Sequence, residues 1–408
     1  MIRKITAVLA AVLISASMLT ACGSSNSSSG SGDASASDST VSGSGTESNT
    51  SASDSAAEAT AEPSFTVDGT AVDTTNLIMC TAEGVEISFE RFRYYYYYVL
   101  SAYESNYGLS RDNIASDEEI AKTFTDSVKS LIIGDMATAY LAKENDIKLS
   151  EEDIAEVDKQ IEEIKAQYDS EESYAAALSA AHLTPNAFRE MQQLTKLYEK
   201  VAAVYTTSDE DFKKVVQDKD RYSRVIHILI PYYCQAEISD ESTASEYESY
   251  SLYQKNQVKK AAYSELSEEE QNKLKESAKL VAEEALVKAK NGDDFSKLIS
   301  EYGWDQGMET SPDGYYIDKE NSSFVQDFVD AAFSLEENQI SDLIESESFG
   351  WFIIKRLPID MDYVEKNLDS MRSTYDKPTL SKVFNEAAEK VEFVEGEYFS
   401  KVTATNIT

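Results

Sequence analysis

The chain has 408 residues, 74 acidic against 37 basic, giving a formal charge of −37 with 2 His and 3 Cys. So acidic a chain lacks the material for the basic stripe that neutralises phosphates, which argues against nucleic-acid binding. So few His and Cys, without CxxC or HxxxH spacing, argue against a His/Cys zinc site and against a disulfide-stapled fold, while the length allows about two or three domains.

Residues 1–22 read as a signal segment. Arg3 and Lys4 supply a positive start, and Ile5 to Met18 an apolar core too short for a comfortable membrane span. Leu19-Thr20-Ala21-Cys22 resembles the lipobox of bacterial lipoproteins, which implies lipidation of Cys22. Residues 23–63 follow as a linker rich in Ser, Gly, Ala and Thr; Gly23 to Glu62 hold six carboxylates and no basic or aromatic residue. Nothing there offsets the entropy of ordering, so a disordered tether is predicted, with a reach of roughly 35 Å as a flexible coil. Its acidity opposes contact with anionic lipid, so acyl chains on Cys22 are the expected anchor at the extracellular face of the cell membrane. Cys80 and Cys234 remain, as two buried thiols or as an oxidised pair, the thiols being favoured.

Residues 64–217 read as a helical domain. A short β-leaning stretch, Asn76 to Cys80, and a turn at Gly84 lead to a helix capped by Ser88 and running to about Ser105. Five consecutive tyrosines, Tyr94 to Tyr98, encircle this helix, so their rings are expected to pack while their hydroxyls stay wet, or else to form a contact surface for unfolded chains. Ser116-Asp-Glu-Glu119 predicts a capping box for a helix to Lys143, and Ser150-Glu-Glu-Asp153 another through Tyr168. Thr184-Pro185 opens a helix over 186–205, and His182 in the preceding loop is expected to be solvated or capping.

From residue 218 the texture changes. Arg224 to Ile230 is a continuous β-branched run around His227, bounded by Pro231, and reads as a buried strand. A charged stretch, Gln235 to Glu265, precedes a helix opening at Ser267 and ending near Asn291-Gly292. A short helix from Asp294 to Tyr302, a loop over 303–321, a helix over 323–334, the Gln339-Ile-Ser segment and a strand over 350–356 complete the block. This order predicts a small α+β domain over 218–358. Residues 359–408, helix-compatible from Glu365 to Val391, form a C-terminal segment expected to return to the helical domain.

The block resembles the parvulin family of peptidyl-prolyl isomerases. The resemblance rests on VIHILI at 225–230, NGDDFSKLISEYGWDQG at 291–307, PDGYY at 312–316, SSFVQDFVDAAFSL at 322–335 and QISDLIESESFGWFIIK at 339–355. With a lipoprotein tether and helical body, the chain looks like the extracellular foldases of the PrsA type, with a SurA-like chaperone region. The implied fold is an α+β multidomain chain: an all-helical body and a small parvulin-like domain whose curved, mainly antiparallel sheet carries helices.

Rotation about a peptide bond faces a barrier of about 18–20 kcal/mol because the twisted amide loses resonance, and X–Pro isomerisation is slow enough to stall folding. No bond breaks, so no metal or cofactor is required. The resemblance implies catalytic roles for His227 and Asp305, and an apolar proline cup of Phe324 and Phe328, read as four apart on one helix face, with Phe352 beside them. The family usually places a second histidine where this chain has Phe352, in Phe349-Gly-Trp-Phe352-Ile-Ile. The implied function is folding of exported proteins by holding unfolded chains and isomerising their X–Pro bonds; the alternative is an inactive parvulin-fold holdase. Core packing for His227, Phe324 and Phe328, and loop capping for Asp305, stand as plain structural alternatives. The oligomeric state, a homodimer included, is left open.

Overall fold

A computed structural model describes residues 64–408; the signal segment, Cys22 and the tether lie outside the described residues. The described chain forms two compact units, one made of residues up to Thr206 with Asp376–Thr408, the other of Thr207–Tyr375.

The first unit is helical with small antiparallel sheets. Strands β1 (Thr66–Val67) and β2 (Thr70–Ala71) pair as a ribbon, and β3 (Ile78–Ala82) pairs with β4 (Val85–Ser88). Glu83 and Gly84 both take positive φ, 51° and 76°, the left-handed geometry a two-residue hairpin turn requires. Helix α1 (Phe89–Tyr107) follows, capped by the Ser88 side chain and closed by left-handed Gly108. Then come α2 (Arg111–Ser116), α3 (Glu118–Glu144), α4 (Glu151–Lys165), α5 (Glu171–Ala180) and α6 (Pro185–Tyr205). Ser150 and Asp153 make the expected capping box of α4, whereas α3 is capped by Asp117; Ser116 instead ends α2.

The tyrosine run is not a wet surface. Tyr94, Tyr95, Tyr96 and Tyr97 are all buried, because α1 is covered on several sides at once. The Tyr95 hydroxyl donates to Asp135 on α3 at 2.8 Å while accepting from the Arg91 guanidinium at 3.0 Å, and Tyr96 donates to the Ala404 carbonyl at 2.7 Å. Those partners satisfy hydroxyls that burial would otherwise leave costly. The C-terminal residues thus belong to this core: β9 (Phe393–Glu395) pairs with β3, Phe399 packs edge-on against Phe92, and Ile407 bridges to Phe65.

His182 is half-buried rather than fully solvated. It takes left-handed φ of 56° and its ring stacks flat on Tyr97, with Nδ1 lacking a hydrogen-bond partner among the described residues. Cys80 is a free buried thiol in this unit, as Cys234 is in the other. Burial pushes the two thiols up to about 12 and about 11.

The second unit opens with α7 (Asp209–Gln217) and strand β5 (Tyr222–Ile230). The charged stretch after it is helical: α8 (Glu241–Glu246), a 3₁₀ turn, and α9 (Leu252–Ser264). Helices α10 (Glu268–Lys290), α11 (Phe295–Tyr302) and α12 (Gly307–Thr310) lead to β6 (Tyr315–Asp318), which lies inside the span read as loop. Helix α13 (Gln326–Ser334), β7 (Ile344–Ser346) and β8 (Gly350–Leu357) follow, then α14 (Met361–Lys366) and the start of α15 (Leu368–Ala388). The antiparallel sheet has the order β6-β5-β8-β7.

Strand alternation divides its two faces. Ile226, Ile228 and Ile230 pack with Trp351 and Ile353 against α10, where Ala278, Ala282, Ala285 and Ala289 form a small-residue stripe that lets helix and sheet approach closely. Val225, His227 and Leu229 point the other way, with Phe352 and Ile354, toward α13. Among the described residues, no helix is long and apolar enough to cross a membrane.

Burial, with Arg93 and Arg111 nearby, lowers the His182 pKa from 6.5 to about 4. Neutral His182 therefore contributes stability that is complete above about pH 6.5 and is lost as the pH falls toward about 4. His182→Asn keeps a residue tolerant of positive φ and is expected to flatten that loss. Hydrogen exchange of α1 amides, corrected for intrinsic rate, measures it; an unchanged slope between pH 7 and 4 would show that His182 does not carry the dependence.

Candidate active site

Strand β5 is central, so both edges of His227 meet neighbours. The residue is 2% exposed, opposite Ile354 on β8 and one diagonal step from Phe352. The imidazole meets Phe328 edge-on with centroids 5.0 Å apart, Phe352 at 5.5 Å and Tyr315 at 5.6 Å. Phe324 stacks on Phe328 at 5.2 Å and lies 5.1 Å from Tyr315. Phe328 and Phe352 are buried, whereas Phe324, Tyr315 and Leu229 are half-buried, so the former make a floor and the latter a rim.

Helix α13 starts at Gln326, so Phe324 lies ahead of it, its N–H held by the Ser322 hydroxyl at 3.1 Å. The two phenylalanines are therefore not a pair on one helix face. They meet because the chain entering α13 folds Phe324 back over Phe328.

Asp305 sits in the loop between α11 and α12. The Trp304 N–H donates to the Leu229 carbonyl at 2.9 Å, tying this loop to the end of β5. Asp305 Oδ2 then lies 3.1 Å from His227 Nε2 and accepts the Tyr315 hydroxyl at 2.7 Å, while Oδ1 accepts the Gly307 N–H at 3.0 Å. Burial alone would raise the Asp305 pKa, but the hydrogen bonds from His227, Tyr315 and Gly307 hold it below its usual value. The carboxylate is thus ionised at neutral pH and can only accept. His227 therefore carries a proton on Nε2. Its Nδ1 is buried among aromatic rings, without a hydrogen-bond partner among the described residues. Burial, then the Asp305 charge, raises the Tyr315 pKa, so its phenol stays protonated and donating.

The structure thus brings together His227, Asp305, Phe324, Phe328 and Phe352. It adds Tyr315 and Gly307, to which sequence reasoning gave no role. A Cβ on Gly307 would overlap the Tyr315 hydroxyl, so glycine is what admits this phenol to the carboxylate. The PDGYY motif held the clue. Once its second half is a strand, Tyr315 and Ile317 share the face toward His227. Among the described residues there is no cluster of His, Cys, Asp and Glu fit to hold a metal.

The family model of the PPIC-type PPIase domain matches residues 254–357. The match holds Asp305, Tyr315, Phe324, Phe328 and Phe352 but starts after β5, so His227 joins them through strand pairing. A parvulin-like PPIase of Rickettsia typhi is 28% identical over 181 residues, 41% of this chain; the chain spans 59% of that relative's length. Foldase protein PrsA of Geobacillus sp. is 25% identical over 306 residues, covering 72% of this chain and 85% of the relative. The crystal structure of PrsA from Bacillus cereus is 19% identical, with a TM-score of 0.33, covering 78% of this chain and 93% of that one. The chain carries a PPIC-type peptidyl-prolyl isomerase domain of the parvulin kind, within a chain similar to the PrsA foldases.

Ionised Asp305 contributes stability at neutral pH that is lost as the pH falls below about 4. Tyr315→Phe removes one of the hydrogen bonds that lower its pKa, and Gly307→Ala displaces the same hydroxyl. Both substitutions are expected to raise the Asp305 pKa, read from the carboxyl ¹³C titration. Together they should raise it no further than either alone; a titration unmoved by Gly307→Ala would show that the glycine does not gate this contact.

Proposed function

We propose that this chain is a lipid-anchored foldase at the outer face of the cell membrane, whose second unit isomerises X–Pro bonds of exported proteins while the first holds them unfolded. The observation that carries the isomerase reading is the aromatic floor of Phe328 and Phe352 laid against an imidazole that is itself hydrogen-bonded to an ionised carboxylate. A pyrrolidine ring suits that floor, with Phe324 and Leu229 flanking it. The planar amide is more polar than the twisted one, because resonance moves charge from nitrogen to oxygen. A site that removes water and offers ring faces therefore favours the twisted state over the planar one. Asp305 and Tyr315 orient His227 and keep its protonated nitrogen turned away from the floor. No covalent bond changes, so this chemistry asks only for shape, exclusion of water and fixed dipoles.

A second reading, a holdase that retains the fold without catalysis, is favoured by one observation. Phe352 can neither donate to nor accept from His227, and Nδ1 is left without a partner among the described residues. A polar network that stops at one imidazole has less to offer a twisted amide than one that continues across the strand.

NMR exchange on X–Pro peptides separates the two. The full chain is expected to accelerate cis/trans exchange, Phe324→Ala to slow it by about tenfold through loss of apolar contact, and Phe352→His to raise it. Exchange at the uncatalysed rate, with aggregation of an unfolded client still suppressed, would leave only the holdase.

The anchor is tested separately. Mass spectrometry of the cell-associated protein is expected to find acyl chains on Cys22, and Cys22→Ala to release the protein from the membrane fraction. Unmodified Cys22 in membrane-bound protein would overturn the lipoprotein assignment.

A further inference from the structure

Helix α9 has no explained role in the centre just described. It contains Lys255, Lys259 and Lys260, no carboxylate and no fully buried side chain, and it touches the sheet core through half-buried Tyr263. Among its polar contacts, which include Lys259 to the Ala236 carbonyl, those of Asn256 reach the loop that carries Asp305. The Asn256 Nδ2 amide donates to the Leu252 carbonyl and to the Trp304 carbonyl, both at 3.0 Å, and Oδ1 accepts the Tyr233 hydroxyl at 2.7 Å. The orientation of this amide is forced. Two carbonyls can only accept, so the NH₂ must face them, and the tyrosine must donate. Tyr233 also sets its ring edge-on to the Trp304 indole, with centroids 6.2 Å apart.

Trp304 is therefore gripped at three points: its N–H by Leu229, its carbonyl by Asn256 and its ring by Tyr233. The next residue is Asp305. With Trp304 held at its N–H, its carbonyl and its ring, the backbone entering Asp305 is fixed where the carboxylate meets His227.

We infer that Asn256 is a positioning residue of the isomerase centre: it fixes the Trp304 carbonyl and so holds Asp305 against the His227 imidazole. This rests on the catalytic reading above only for its effect on rate; the effect on His227 itself does not.

The chain offers built-in reporters for the test. It has 2 His and 2 Trp. His227, Trp304 and Trp351 lie in the second unit and His182 in the first. In the full chain, Asn256→Asp keeps the shape and removes the donor, while Tyr233→Phe removes only the hydroxyl that orients it. In both, the ¹⁵N and ¹³C imidazole resonances of His227 and the indole resonance of Trp304 are expected to shift, while His182 and Trp351 stay as controls for the two folds. On X–Pro peptides kcat is expected to fall by about tenfold with KM changed less than about twofold, as for loss of alignment rather than of binding. Asn256→Gln, which restores a donor, is expected to recover part of the loss. Unshifted His227 resonances in both variants would overturn the inference, even in an active protein. Shifted His227 resonances in a chain that proves inactive on peptides would uphold the positioning and overturn the isomerase reading instead.

Discussion

The candidate centre depends on one long-range pairing, that of β5 with β8. The register sets His227 opposite Ile354 and Leu229 opposite Phe352, and alternation then sends all four side chains to one face. Shifting β5 by one residue would turn the imidazole into the face packed by α10, where a polar ring has no partner, and shifting β8 would turn Phe352 away from the imidazole. That register is specified twice. Ile226, Ile228 and Ile230 seek the alanine stripe of α10, and Gly350 at the start of β8 takes φ of 117° where a Cβ would strike the Ile230 carbonyl. Apolar packing on the far face and a glycine at the strand's end thus decide where the imidazole stands.

On that frame the polar part of the site is small and closed. Asp305 receives hydrogen bonds from an imidazole, a phenol and a backbone amide, and partial burial makes each worth more than it would be in open water. The same surroundings make the unpaired Nδ1 of His227 expensive, of the order of 1–3 kcal/mol if no partner is ever supplied. A buried orphan atom beside an aromatic floor is either a cost of replacing a polar neighbour by Phe352 or a group kept for a bound peptide. The two alternatives correspond to the holdase and the foldase readings.

How much of this was legible in the sequence follows from the range of the interactions involved. Local signals read well: Ser88, Ser150, Thr184-Pro185, Ser267 and Asp294 all cap the helices assigned to them, because an N-cap is decided within four residues. The apolar runs 224–230 and 350–356 read as strands for the same reason. Strand β6 was hidden because its four residues follow a Pro-Asp-Gly turn and pair only with a strand far away in sequence. The start of α13 was set about three residues early, at 323 rather than Gln326, which put Phe324 inside the helix, since an apolar residue before a helix looks like one inside it. Tyr315 was legible only once the second half of PDGYY is known to be a strand, and Gly307 had no local signature; their roles exist only where α12, β6 and the Asp305 loop converge.

The tyrosine run of α1 was misread for a different reason, and the error bears on function. Periodicity predicts at most one buried stripe on a helix, and five consecutive tyrosines exceed it. The prediction failed because β3, β4, α3 and the C-terminal residues enclose α1 from several directions, and because Asp135, Arg91 and the Ala404 carbonyl take up hydroxyls of the run. Those rings are core, so they cannot also be the surface that receives a client. Among the described residues, the large exposed apolar side chains of the first unit are Tyr107, Val204 and Val394, on three different elements. Single exposed residues of this kind are ordinary for a soluble surface and do not form a binding face. Holding by this unit would thus rely on many weak contacts rather than one strong patch. Weak contacts suit a chaperone whose clients must leave to fold, while the strong negative charge of the chain opposes its own aggregation around them.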